Sequence, residues 1–224
     1  MGKIIIVAES GSDVPADLRE RYGIRIVPMH VIFGRETRED GTFPPSEVID
    51  YYRRTGKIPS TSGAMEYDFS RVFGEILAQE KDASVLHIAY SAVTTCSFDC
   101  ARRAAEEFPQ MPFAQVDTGM FSYGHYSVVI KTARMLEEHP EWSLEDAGKA
   151  ARDLVDHSCM AFVPDGFEFL KAGGGPQYGG PRGGTAEDPP PHRHDRRVSG
   201  TCQKIPGPHG TGDPSHDPGL CKRI

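Results

Sequence analysis

Residues 175–224 hold 10 Gly and 9 Pro in 50 positions, and Tyr178 is their only aromatic. Their large aliphatics are Val198, Ile205, Leu220 and Ile224. So few apolar side chains cannot bury enough surface to offset the entropy of ordering the backbone. The change comes just after Leu170-Lys171-Ala172-Gly173-Gly174. It confines a packed core to residues 1–174, a length sufficient for one sizeable core. The segment is expected to be disordered, and the genetic code suggests its origin. Reading each codon from its second base, with free choice of the middle base, permits a sequence beginning Ser-Thr-Ala-Ala-Leu-Gly-Gly at Gln177. That reading is apolar and helix-forming, so an out-of-frame translation with its slip near Gly174 to Pro176 is expected.

Before the break, apolar strands alternate with amphipathic helices. Lys3 to Ala8 is a β-branched, nearly continuous apolar run, as in a strand covered on both faces. Ser10-Gly11-Ser12 is a turn, Asp13 is expected to cap a helix with an early Pro15, and Gly23 ends it. Ile24 to Phe33 reads as one extended segment and Glu39-Asp40-Gly41 as a turn. Ser46 is expected to cap a helix through Tyr52. Thr61-Ser62-Gly63 precedes a helix with Phe69, Val72, Phe73 and Leu77 on one face. Ser84 to Ala89 is a second buried strand, followed by a polar loop and a helix through Phe108. Phe113 to Val116 is a strand and Ser122 to Glu138 a long helix. Ser143, with Asp146 three residues on, opens another. Cys159 to Val163 reads as a strand and Phe167 to Lys171 as a short helix. The order implies an α/β fold, a Rossmann-like parallel or mixed sheet with helices on both faces. Its core is expected to include Ile4, Ile5, Ile6, Val85, Leu86 and Ile88. The expected units are 1–160 as the α/β domain, 161–174 as the start of a second, incomplete domain, and 175–224 as the tail.

The net charge of −7 divides unevenly. The tail has 7 Lys/Arg against 5 Asp/Glu, a balance of +2, which leaves −9 for residues 1–174. An acidic body without a basic stripe argues against nucleic acid as a partner. No apolar run reaches transmembrane length. The opening Met1-Gly2-Lys3-Ile4 lacks a signal-peptide pattern. The five cysteines (Cys96, Cys100, Cys159, Cys202 and Cys221) are irregularly spaced, so reduced thiols and a cytoplasmic location are expected.

In such sheets ligands bind beyond the carboxyl ends of the strands. Those ends carry Glu9-Ser10-Gly11-Ser12, Ser91 to Ser97 and Asp117-Thr118-Gly119, with Thr61-Ser62-Gly63 as a further candidate. Hydroxyls and helix N-termini suit an anion such as a carboxylate or phosphate. A hydrolase or phosphotransferase drawing on Ser10, Ser91, His87, Asp117 and His125 is the alternative. The chain lacks Gly-x-Ser-x-Gly, His-Glu-x-x-His and P-loop motifs. His87 reads as a satisfied core or interface histidine and Cys96 as a small buried cysteine. The tail's His192, His194, His209, His216, Cys202 and Cys221 fit no standard zinc spacing, and no metal or cofactor is expected.

Residues 3–174 resemble the DegV family of bacterial fatty-acid-binding proteins. The resemblance rests on an ordered series: Ala8-Glu9-Ser10…Asp13-Val14-Pro15, Tyr22 to Met29, Phe33-Gly34, Asp40-Gly41, Pro59-Ser60-Thr61-Ser62, Ser91 to Phe98, Asp117-Thr118 and Phe167 to Gly174. It implies a two-domain α/β protein that buries one long-chain fatty acid between its domains. It also implies a non-catalytic role, presenting the acyl carboxylate to a separate fatty-acid kinase subunit. By motif, Thr61 and Thr95 hold the carboxylate, with Ser62 and Ser97 beside them. The chain departs from the family pattern at Ala8 and Glu9, at Cys96 in a glycine slot, and at Gly175 in place of an arginine. A histidine near the family's C-terminus has no counterpart. The 224-residue form is therefore expected to bind lipid weakly or not at all.

Overall fold

The computed structural model describes residues 2–162. Two β-rich runs form its centre. Strand β1 (Ile4–Glu9) is flanked by β2 (Arg25–Val27) and β6 (Ser84–Ala89), and β7 (Phe113–Asp117) pairs with β6. All three pairings are parallel, with Ile5 opposite Val85 and Val7 opposite His87. Successive side chains of a strand point to opposite faces, and the apolar residues divide accordingly. Ile5, Val7 and Val85 pack with Phe69, Phe73, Ile76, Ala101 and Met111. Ile6, Ala8, Leu86 and Ile88 pack with Val128, Val129, Ala133, Ala147 and Ala151. Helices α3 (Glu66–Gln79) and α4 (Ser97–Glu106) cover the first face, and α5 (Ser122–Glu138) and α6 (Leu144–Asp156) the second. The fold is α/β with helices on both faces of a parallel sheet, as expected. Of the predicted core, Ile5, Ile6, Val85, Leu86 and Ile88 are buried, and Ile4 is half-buried at the strand start.

Several local expectations are met. Gly23 closes α1 (Ala16–Tyr22) at φ 65°, a left-handed conformation that glycine adopts at little cost. Ser143 and Asp146 form the reciprocal capping box of α6. Others are corrected. Ile24 to Phe33 is two strands, because Pro28 has no N–H to donate and Met29 N–H goes to Ser10 Oγ at 3.0 Å. The chain leaves the parallel sheet at Val27. It begins β3 (His30–Phe33) in a second, antiparallel sheet of order β4-β3-β5, with β4 at Glu36–Glu39 and β5 at Ser60–Ser62. Asp13 does not cap α1: it lies at φ 55°, and its carboxylate accepts the Ser122 hydroxyl at 2.6 Å. Pro15 occupies the cap position, its carbonyl accepting Arg19 N–H. Ser46 is the first residue of α2 (Ser46–Thr55); Pro45, with φ already near helical values, precedes it. Residues 159–162 are not a strand. Cys96 and Cys100 are free thiols. Phe167 to Lys171, the incomplete second domain and the tail lie outside the described residues. No helix among the described residues is long and apolar enough to cross a membrane.

Candidate functional site

Because the four strands run parallel, the ends of β1, β6 and β7 fall on one edge of the sheet, at Glu9, Ala89 and Asp117. The loops beyond them are tied together by backbone polar groups. Ser91 N–H donates to the Met120 carbonyl at 3.0 Å, and Thr118 Oγ1 donates to the Ala89 carbonyl at 2.8 Å. Asp117 Oδ1 accepts from Ala92 N–H at 3.1 Å and Gly119 N–H at 2.8 Å. Asp117 is thus a loop brace.

The loop after β6 leads into α4 through Thr95, Cys96 and Ser97. Thr95 N–H bonds the Ser91 carbonyl at 3.3 Å, and Thr95 Oγ1 accepts the Ser97 N–H at 3.1 Å. An accepting hydroxyl still has its own proton to donate, so half-buried Thr95 can offer it to an anion at the start of α4. Ser97 is fully buried, and its Oγ accepts the Ala64 N–H at 3.0 Å across 33 residues. That bond brings the Thr61–Gly63 segment onto the Thr95–Ser97 loop. The approach is close: a Cβ at Gly63 would sit 2.8 Å from Ser97 Oγ and 3.3 Å from Thr95 Cβ. Thr61 is exposed on β5, opposite Val31 of β3. Ser62 pairs with His30 and so faces the other side of the antiparallel sheet. Thr95 and Ser97 are therefore joined to the Thr61 strand through Gly63, while Ser62 belongs to a different row. Cys96 is exposed at the α4 cap position rather than buried.

Three residues of the hydrolase alternative take part in structural contacts. Ser10 Oγ accepts Met29 N–H, Asp117 braces its loop, and His125 Nε2 contacts the Ile88 carbonyl at 2.7 Å. His87 is buried, but among the described residues neither ring nitrogen has an aligned hydrogen-bond partner, so it is not the satisfied core histidine expected. Its Nε2 lies 3.2 Å from Glu9 Oε1, close but poorly aligned for a hydrogen bond. Burial pushes the Glu9 carboxyl up. The neighbouring His87 and His125 rings and the Tyr90 N–H outweigh that and hold it below the ordinary carboxylate value. Burial pushes His125 down, only partly offset by Glu9 and the Ile88 carbonyl. Glu9 Oε2 accepts the Tyr90 N–H at 3.0 Å, so this buried carboxylate holds the start of the loop that carries Thr95. From the sequence, Glu9 stands at the end of the first strand and departs from a family pattern, but nothing local marks His87 and Tyr90, about 80 residues away, as its partners. A shallow depression of about 560 Å³ lies along the outer edge of β2, lined by Ala16, Arg19, Arg25, Val72 and Glu75, and contains none of the hydroxyls.

The sequence model of the DegV family, described as uncharacterised proteins, matches residues 3–202 and so runs past the Gly174 break. The chain belongs to the DegV family. It is 28% identical over 174 residues to a DegV domain-containing protein of Caldanaerobacter subterraneus subsp. tengcongensis, covering 78% of this chain and 61% of that one. It is 26% identical over 176 residues to the fatty acid-binding protein of Thermotoga maritima, covering 77% and 60%. A solved DegV family protein from Thermus thermophilus, described by its fatty acid binding, superposes with a TM-score of 0.69 at 33% identity over 77% of this chain and 60% of that one. The chain thus spans about 60% of the length of these DegV relatives.

Proposed function

We propose that this chain belongs to a fatty-acid-binding protein, with Thr61 and Thr95 donating hydrogen bonds to the acyl carboxylate. The observation that carries the reading is the contact at Gly63, where the strand bearing Thr61 meets the Thr95–Ser97 loop and the start of α4. Ser97 holds the two segments together, and Ser62 supports β5 from its opposite face. The fatty acid binding of the Thermotoga maritima and Thermus thermophilus relatives supports the ligand class. The protein itself is non-catalytic and needs no cofactor. It acts in the cytoplasm and presents the bound carboxylate to a separate fatty-acid kinase subunit. The structural roles of Asp117, which braces its loop, and of His125, which meets the Ile88 carbonyl, speak against the hydrolase alternative.

Each charge-assisted bond to the carboxylate contributes roughly 1.5–3 kcal/mol. Native mass spectrometry after bacterial expression is expected to find an acyl chain, depleted in the Thr61→Ala/Thr95→Ala double variant. Equal lipid content in both proteins would refute the assignment of these hydroxyls. Ester or phosphate turnover abolished by Ser91→Ala would favour the hydrolase instead. In the 224-residue form, retention is expected to be weaker than in a frame-restored protein. Gly175 stands where the resemblance calls for an arginine, and acyl burial at about 0.8 kcal/mol per CH2 requires both walls of a tunnel. The resemblance assigns the second wall to a second domain, whose sequence gives way to a Gly/Pro-rich stretch after Gly174.

A further inference from the structure

The antiparallel sheet carries a second constellation, on the face away from Thr61. Across its three strands, Glu39 of β4, His30 of β3 and Ser62 of β5 stand directly opposite one another. Directly paired residues present their side chains on the same face. Asp68, in the first turn of α3, closes over that row. One of its oxygens accepts the Met65 N–H at 2.8 Å, fixing the carboxylate, and the other lies 3.6 Å from His30 Nε2. The Asp68 side chain is 6% exposed and that of His30 17%, whereas Glu39 opens to solvent at 43%. One ligand-type atom from each of the three lies within 4.8 Å of the others.

We propose that His30, Glu39 and Asp68 bind one divalent first-row cation such as Zn²⁺. Zinc–ligand bonds of about 2.0–2.1 Å in a tetrahedron place neighbouring ligand atoms roughly 3.3 Å apart. The His30–Asp68 separation is already close to that value. The Met65 N–H orients the Asp68 carboxylate from behind, as outer-shell donors do in metal sites. A donor set of one imidazole and two carboxylates without thiolate selects borderline cations. The exposed side of Glu39 supplies the path of entry and leaves room for water at the fourth position. The competing cation is Arg71, 3.0 Å from Glu39 and also within 4.0 Å of Glu75, to which it can turn when a metal takes Glu39. The site is independent of the lipid reading, since its ligands lie on the sheet face opposite Thr61.

Titration calorimetry of the full chain with Zn²⁺ tests this, with Co²⁺ as a spectroscopic substitute. One equivalent is expected to bind, with ligand-field bands and no thiolate charge transfer. His30→Ala and Asp68→Asn are expected to weaken it by at least ~10–100-fold, the loss that removing even an outer-shell partner produces. Arg71→Met is expected to tighten binding, an effect that a merely structural His30–Asp68 clasp would not produce. Glu39→Gln, at an exposed position, serves if His30→Ala fails to fold by circular dichroism. The proposal is overturned if the chain takes up no Zn²⁺. It is also overturned if binding survives these ligand substitutions or disappears only when His192 and His194 are replaced.

Discussion

Gly63 is where the candidate carboxylate site can be tested by stability alone. In Gly63→Ala the new Cβ would stand 2.8 Å from Ser97 Oγ and 3.3 Å from Thr95 Cβ, the first closer than real contacts allow. Ser97 has nowhere to retreat, being fully buried with its Oγ committed to Ala64 N–H. Displacing that oxygen leaves the N–H of fully buried Ala64 unpaired, at roughly 1–3 kcal/mol. For a domain of this size that corresponds to a fall in Tm of roughly 2–12 °C. Ser97→Ala removes the acceptor directly and should cost a similar amount. Because Ser97→Ala also removes the clashing atom, the two costs should not add. Gly63→Ala made in the Ser97→Ala background should cost less than ~1 kcal/mol, giving a coupling energy of the size contacting residues show. Urea denaturation followed through Trp142, the sole tryptophan, reads all four proteins. Additive costs, or a Gly63→Ala protein as stable as its parent, would refute the packing that joins the Thr61 strand to the Thr95 loop.

Acid should destabilise the domain in two stages. His125 has a folded pKa pushed below its ordinary 6.5 by burial, so below that value the unfolded chain binds a proton the folded one refuses. This contribution is complete above pH 6.5 and is lost as pH falls from there to the folded value, with a slope approaching 1.4 kcal/mol per pH unit. The lowered Glu9 carboxyl adds stability that is full above 4.5 and disappears as pH drops through its folded value. Melting curves from pH 8 to 4 should show the first decline, and His125→Gln should abolish it; an unchanged profile in that variant would contradict the assignment. Phe73, fully buried with its ring edge-on to Phe108 and against Phe113, should cost about 3–5 kcal/mol when cut to alanine. A loss below 1 kcal/mol in the same denaturation assay would mean that this face of the sheet is not packed as described.

The parallel sheet was legible because its signals are local. Six consecutive residues at Ile4–Glu9 and at Ser84–Ala89, rich in β-branched and aliphatic side chains, have few ways to be buried other than as central strands. The spacing of Phe69, Val72, Phe73 and Leu77 marks a helical face, on which Leu77 is only half-buried while Ile76 is buried beside it. Ser143 with Asp146 marks a helix start through a bond spanning three residues. The hydroxyl-rich loops could be placed at one edge from strand order alone, and with them Thr95 and Ser97. The antiparallel sheet was not legible. Glu36–Glu39 and Ser60–Ser62 are short and polar, with no apolar alternation to show that they pair with His30–Phe33.

What the sequence determined by itself is therefore the layered α/β core, the order of its helices and long buried strands, and the break in composition after Gly174, since each follows from propensity and hydrophobic period within a few turns of chain. Tertiary structure alone decided that Gly63 leaves room for Ser97 Oγ, that Glu9 meets His87 and holds Tyr90, and that His30, Glu39 and Asp68 converge. Those contacts join residues tens of positions apart. Their geometry depends on strand register and on the angle at which α3 and α4 settle on the sheets. Both are set by the collective packing of the core, which no local stretch of sequence encodes.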